Sequence, residues 1–274
     1  MNGATNIPFI VWLCVMIVIL VTGVIGNSLV IFVIGYKMKT TVNSMWFLNL
    51  AITDLIFIPI LVFSPILYSL ERNNPLIQCV HYMFYLNMFA SAFFLTVISL
   101  DRCLCTWCVV WAQNKRTLVK ARIICGFVWL LAIYKPEDKF QDIKFELKHL
   151  SAYIFTVGFL IPFLIITSSY LAIVVRVRSL PRGNHLRIFR VIIVILVFFI
   201  SWFPYHCLRL FILWNDSSPD NLYATFIFTV SLVFLNCVNP ILYVFMCDEY
   251  KKKLKMSLPA VLEGAFTEDH LGLH

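Results

Sequence analysis

The charged residues of this chain stand in short clusters separated by long intervals without them. Residues 7–36, 73–100, 150–175 and 221–247 contain no Asp, Glu, Lys or Arg. Residues 45–70 contain one, Asp54, and residues 191–213 contain one near their end, Arg209. A bilayer core of about 30 Å needs roughly 20 helical residues at about 1.5 Å each, and these six stretches meet that length. A seventh, 123–134, offers 12 charge-free residues before Lys135-Pro136-Glu137-Asp138-Lys139. Extending it back to Thr117 brings in Lys120 and Arg122, whose stems can snorkel to the interface. The pattern predicts an all-α integral membrane protein, a seven-transmembrane helix bundle over residues 1–247. Its spans are about 7–36, 45–70, 74–104, 117–134, 150–177, 187–213 and 221–246. Beyond it, Tyr250, Leu254 and Leu258 with lysines between them predict a short amphipathic eighth helix on the inner leaflet, opening a cytosolic tail over 248–274.

Composition agrees: 61% of the 274 residues are hydrophobic and 13% charged, against about 25% charged in soluble domains. The distribution of charge fixes an orientation. With the N-terminus outside, 16 of the 22 Lys and Arg face the cytosol, among them Lys37, Arg102, Arg116, Arg176 and Lys251. Arg209 then counts with the extracellular remainder, and the sequon at Asn215 lies outside, where it can be glycosylated. No secretory leader is evident, so the first span is expected to act as the signal anchor. Of nine cysteines, Cys14, Cys125, Cys207 and Cys237 sit in apolar runs, where cysteine acts as a small hydrophobe. Cys103, Cys105 and Cys108 fall on the cytosolic side and are expected to be reduced. No second pair follows them, which argues against zinc. Cys247 is a candidate for palmitoylation, with an unmodified cysteine the alternative. Of the histidines, His81 and His206 are expected at the interface.

An ionisable group in lipid is expensive and is a functional candidate by default. Asp54 is the one acid deep within a span. It is either a protonated carboxyl bonded to neighbouring helices or part of a cation site with Asn27, Ser91, Asn236 and Asn239. Oxygen ligands of that kind suit a hard monovalent ion. Asp101-Arg102 closes the third span on the cytosolic side; alone it is a common membrane-edge pair. Asn239-Pro240-Ile241-Leu242-Tyr243 closes the seventh on the same side, with a proline kink. Trp202-Phe203-Pro204 puts another in the sixth. Pro162 and Tyr170 mark the fifth span, Trp129 the fourth and Gly26-Asn27 the first.

Together and in order, these residues resemble the fingerprint of rhodopsin-like G-protein-coupled receptors, over about residues 23–250. The resemblance implies that Arg102 swings to Tyr170 and Tyr243 on activation, with Asp101, Asn239, Pro240 and Val110 part of the coupling end. It implies that Trp202 and Phe198 move below a ligand cavity, and that Asp54, Ser91, Asn27 and Asn239 hold an allosteric sodium ion in the resting state. No other cofactor is implied. Leu100-Asp101-Arg102-Cys103-Leu104-Cys105 and the run from Val110-Trp111 to Arg116-Thr117 are similar to the chemoattractant group of formyl-peptide and chemerin-like receptors. Ser257-Leu258-Pro259 and residues 240–246 also resemble that group. The expected partners are a heterotrimeric G protein of the inhibitory class, arrestin, an extracellular ligand of peptide or lipid chemoattractant type, and the bilayer of the plasma membrane. Nucleic acid is not among them.

Several positions depart from the group. Cys79 stands two residues closer to Arg102 than the family's disulfide cysteine, and no cysteine lies between Cys125 and Cys207 to pair with it. Leu150 and Ile154 occupy the outer fifth span where the group's peptide receptors carry arginines. The alternative reading is therefore a non-signalling or decoy receptor-like protein with impaired ligand capture. A transporter is disfavoured by the lack of internal repeats. An enzyme is disfavoured by the lack of a Ser/His/Asp set, an HExxH motif or a phosphate loop, and retinal by the lack of a lysine in 221–247.

Overall fold

The computed structural model describes residues 6–68, 75–133, 143–179, 185–214 and 239–240, with side chains described over narrower parts of these segments. Every described element is helical. The first span is Asn6–Phe32, ending in a π-helical turn Val33–Lys37; the second is Val42–Tyr68 and the third Pro75–Trp107. A short loop helix, Val109–Lys115, leads to the fourth span, Leu118–Ile133. The fifth runs from Ile143–Phe155 through a π turn, Thr156–Leu160, into Ile161–Arg178, and the sixth is His185–Trp214. Of the seventh, Asn239 and Pro240 are described. Tyr243, Asn215, Cys247 and the eighth helix lie outside the described residues.

One boundary differs clearly from the sequence reading. The fifth helix begins at Ile143, ahead of the expected 150, because Lys144, Glu146 and Lys148 are good helix formers that need no lipid. The fourth, Leu118–Ile133 as described, stays within one residue of the expected 117–134.

The helices are apolar on the faces that meet their neighbours and on those that do not. In the fourth span Ala121, Cys125, Val128 and Ala132 are buried, whereas Val119, Ile123, Phe127 and Leu130 are exposed. The fifth repeats this with Ile166, Tyr170, Ile173 and Val177 inside and Leu164, Leu171 and Val175 outside. A helix apolar on its outer face suits lipid, not water. The stretches Tyr82–Trp107 and Lys148–Arg178 are each long and apolar enough to cross a membrane.

The third span is the hub, packed against the second, fourth and fifth. The fifth approaches it through Gly158: a Cβ there would stand 3.0 Å from Met88 Cε and 3.1 Å from Phe89 Cε1. The π turn at Thr156–Leu160 precedes Pro162, relieving a backbone that the proline cannot bond. Trp129 Nε1 donates to Asn49 Oδ1 at 3.0 Å, and Asn49 Nδ2 to Cys125 Sγ at 3.3 Å, tying the fourth span to the second. At Gly26 a Cβ would meet Pro240 Cγ at 2.9 Å, so the first and seventh spans touch through a glycine.

Candidate functional site

Three groups of polar residues lie along the bundle. The first surrounds Asp54, which is 1% exposed. Asn239 Nδ2 donates to its Oδ2 at 2.9 Å, although the two residues are 185 positions apart. Ser91 and Asn87 lie beside the same carboxylate, and Asn87 donates to Thr53 O at 3.2 Å. Asp54 Oδ1, Ser91 Oγ and Asn239 Oδ1 are buried with no hydrogen-bond partner among the described residues. Buried oxygens are seldom left so, and a carboxylate oxygen with two further acceptors beside it fits a small hard cation or a water. Asn27 is fully buried and its amide donates to Gly23 O at 3.0 Å. Asn87 was not among the expected residues; its signal was a polar side chain one helical turn before Ser91 on the same face.

The second group closes the third span. The sequence suggested Asp101 and Arg102 as a pair, but the Asp101 carboxylate is taken by Arg116. Arg116 Nε donates to Oδ1 at 2.7 Å and Nη2 to Oδ2 at 2.6 Å, and Nη2 also donates to Asn43 Oδ1. Adjacent helical residues point in different directions, whereas the turn after the loop helix brings Arg116 back under Asp101. Partial burial works against the Arg116 charge. The hydrogen bond and charge of Asp101, with Cys105, outweigh it and raise the guanidinium pKa from its ordinary value. Arg102, half-buried, has no ion pair among the described residues. Tyr170 is 2% exposed with its OH unpartnered among them, near enough to feel the Arg102 charge. Trp107 Nε1 donates to Ala172 O at 3.1 Å, and Arg176 covers the Trp107 ring. Val110 is 71% exposed beside exposed Val109 and Trp111, an apolar face open at the same end of the molecule as Arg102.

The third group fills the opposite end. Trp202 and Phe198 are each 1% exposed, and Phe198 stacks on Phe159 at 5.9 Å. His206, expected at the interface, is instead 1% exposed. The rings of Phe155, Phe159, Trp202 and Tyr205 enclose it, because the sixth helix turns that face inward. Arg209, counted with the extracellular charges, is also drawn into the bundle, bonded to Ser151, Tyr85 and Tyr205. Cys79 is exposed and free.

Comparison with known proteins decides the family. The profile of the "7 transmembrane receptor (rhodopsin family)" matches residues 26–135 and 138–243. The chain belongs to the rhodopsin-like receptors. It is similar to the C3a anaphylatoxin chemotactic receptor of Oncorhynchus mykiss, 36% identical over 91% of this chain and 77% of the relative. Chemerin-like receptor 1 of Homo sapiens is 33% identical over 90% of this chain and 77% of its own length. N-formyl peptide receptor 3 of Pongo pygmaeus is 33% identical over 90% and 82%. The receptor is therefore a class A member of the chemoattractant group. It is a multi-pass plasma-membrane protein with a seven-helix bundle, an extracellular ligand and a heterotrimeric G protein as partners, and it is not an enzyme.

Proposed function

We propose that this receptor carries a peptide or lipid chemoattractant signal from outside the cell to a G protein of the inhibitory class, N-terminus out and C-terminus in. The observation that carries the reading is the division of labour between Asp101 and Arg116. With its carboxylate bound on both oxygens by Arg116, Asp101 does not hold Arg102. The Arg102 guanidinium then turns toward the buried hydroxyl of Tyr170, and toward Tyr243, when the sixth span swings out. The apolar face of Val109, Val110 and Trp111 receives the G protein beside it. Arrestin would use the same opened end, with the eighth helix after Cys247 lying on the inner leaflet. In the resting state Asp54, Ser91 and Asn239, with Asn27 and Asn87 nearby, would hold a sodium ion, whose charge offsets the buried carboxylate.

Replacing Arg102 with Ala should abolish nucleotide exchange on an inhibitory Gα while surface labelling stays at the parental level, since Arg102 is at the rim and not in the core. Unchanged exchange in that variant would sink the proposed role.

A decoy is the second reading. It is favoured by the unbridged Cys79 and by the fourth span's charge-free run of only 12 residues, 123–134. A disulfide commonly contributes about 2–4 kcal/mol, and the loop beyond the fourth span lacks that tie. Parental surface expression with no exchange under any ligand would select it.

A further inference from the structure

Arg209 lies two turns beyond Trp202 on the sixth span, at the end of the bundle opposite Arg102. Neutral hydroxyls hold its guanidinium. Nε donates to Ser151 Oγ at 2.9 Å, and Nη1 donates to Tyr85 OH at 2.7 Å and Tyr205 OH at 2.8 Å. The guanidinium also sits 5.5 Å from the centre of the Tyr85 ring. Among the described residues no carboxylate meets it. Hydroxyls solvate a cation without neutralising it, and a charge withdrawn from water is costly unless paired. The two hydrogens on Nη2 have no described partner, so one edge of the fork is left over.

A second observation lies one turn below. His206 shares the inward face with Arg209, is 1% exposed, and its Nε2 has no partner among the described residues. Aromatic rings wall both residues, with Trp202 at the floor. Across from them, on the fifth span, Leu150 and buried Ile154 carry no charge. Among the described residues, this end of the bundle thus offers one unneutralised cation, one unused imidazole nitrogen and apolar walls.

We propose that Arg209 anchors the ligand by a carboxylate, received on the Nη2 edge, with His206 bonding a second polar atom and the rings holding an adjacent apolar group. The anchoring charge stands on the sixth span in place of the fifth. One guanidinium matches a monoanion, and charge-assisted bonds of this kind are about twice as strong as neutral ones. An anion seated there pulls on the helix that carries Trp202, which couples capture to the swing of the sixth span. The inference rests on the receptor reading above and names the chemistry that its pocket takes.

The test uses the full chain in lipid nanodiscs and reads thermal stabilisation, which needs no G protein. The probes are N-acetyl-Leu-Phe with a free C-terminal carboxylate against its amide, and decanoate against decanamide; the first pair stands for peptide termini, the second for acyl chains. In at least one pair the acid should bind about tenfold better than the amide, consistent with the strength of a charge-assisted bond in a dry site. Arg209→Gln should erase the difference and Arg209→Lys should shrink it severalfold. Equal or absent stabilisation by acid and amide overturns the proposal, as does a preference that survives Arg209→Gln. Where Arg209→Gln does not fold, the acid–amide comparison on the unmodified chain decides. Exchange measured separately keeps the two ideas apart. An intact acid preference without exchange overturns signalling alone, and intact exchange without the preference overturns the anchor alone.

Discussion

At the scale of single residues, the three polar groups differ in how far their partners lie along the chain. Asp54 meets Asn239 across 185 positions, Arg209 meets Tyr85 across 124, and Arg116 meets Asp101 across only 15. The first two join different spans, so they report the packing of the bundle; the third organises one loop. The Asp54 cluster has acceptor oxygens to spare, which gives a direct expectation. Sodium should lower basal nucleotide exchange, because an ion shifts an equilibrium only by its differential affinity for the two states. Asp54→Asn should remove that dependence while leaving the Asn239 contact a neutral partner. If exchange in the Asp54→Asn variant still falls with sodium, in a titration against choline at fixed ionic strength, the ion binds elsewhere.

At the scale of elements, the fifth span holds its place against the third through the absence of a side chain. Gly158 lies within the π turn and Met88 and Phe89 press on it. Gly158→Val forces branched carbons into that contact, and overpacking of this kind costs about 1–3 kcal/mol. The unfolding temperature of the purified receptor is expected to fall by about 5 °C, with surface delivery reduced. A variant as stable as the parent would mean that the two spans stand further apart. The fourth span is the contrasting case. Its charge-free run is short, but it is fixed by Trp129 on Asn49 and by Tyr82 OH donating to Ile133 O at 3.2 Å. Those bonds hold it to the second and third spans without needing length.

At the scale of the whole molecule, the outer faces of the described spans are apolar like the inner ones, and most basic residues fall in the segments read as cytosolic. Lysines and arginines near the cytosolic leaflet are each worth about 1 kcal/mol against anionic lipid, which favours N-out, C-in. A glycosylation acceptor engineered into residues 1–6 should therefore receive a glycan, and one placed at 183 should not. Glycan at 183 alone, seen as a mobility shift lost on deglycosylation, would reverse the orientation and the assignment of every loop.

The chain alone determined the membrane, the all-helical class and the residues that mark a rhodopsin-like receptor. Those depend on composition and order, and lipid admits few ways to satisfy a backbone. Asp54, Ser91, Asn239, Trp202 and Tyr170 stand out in the sequence for the same reason, each being a polar or proline-linked exception within an apolar run, and the structure buries all five. Asn87 is of the same kind. What the tertiary structure decided was which way the marginal residues face. Arg209 and His206, near the end of a span, read as interfacial because position along a helix says nothing of its rotation. Packing of the sixth span against the third and fifth turned both inward. The partner of Asp101 was likewise hidden. Its neighbour in sequence was Arg102, but a helix sends neighbours apart, and only the fold of the following loop returned Arg116 to the carboxylate.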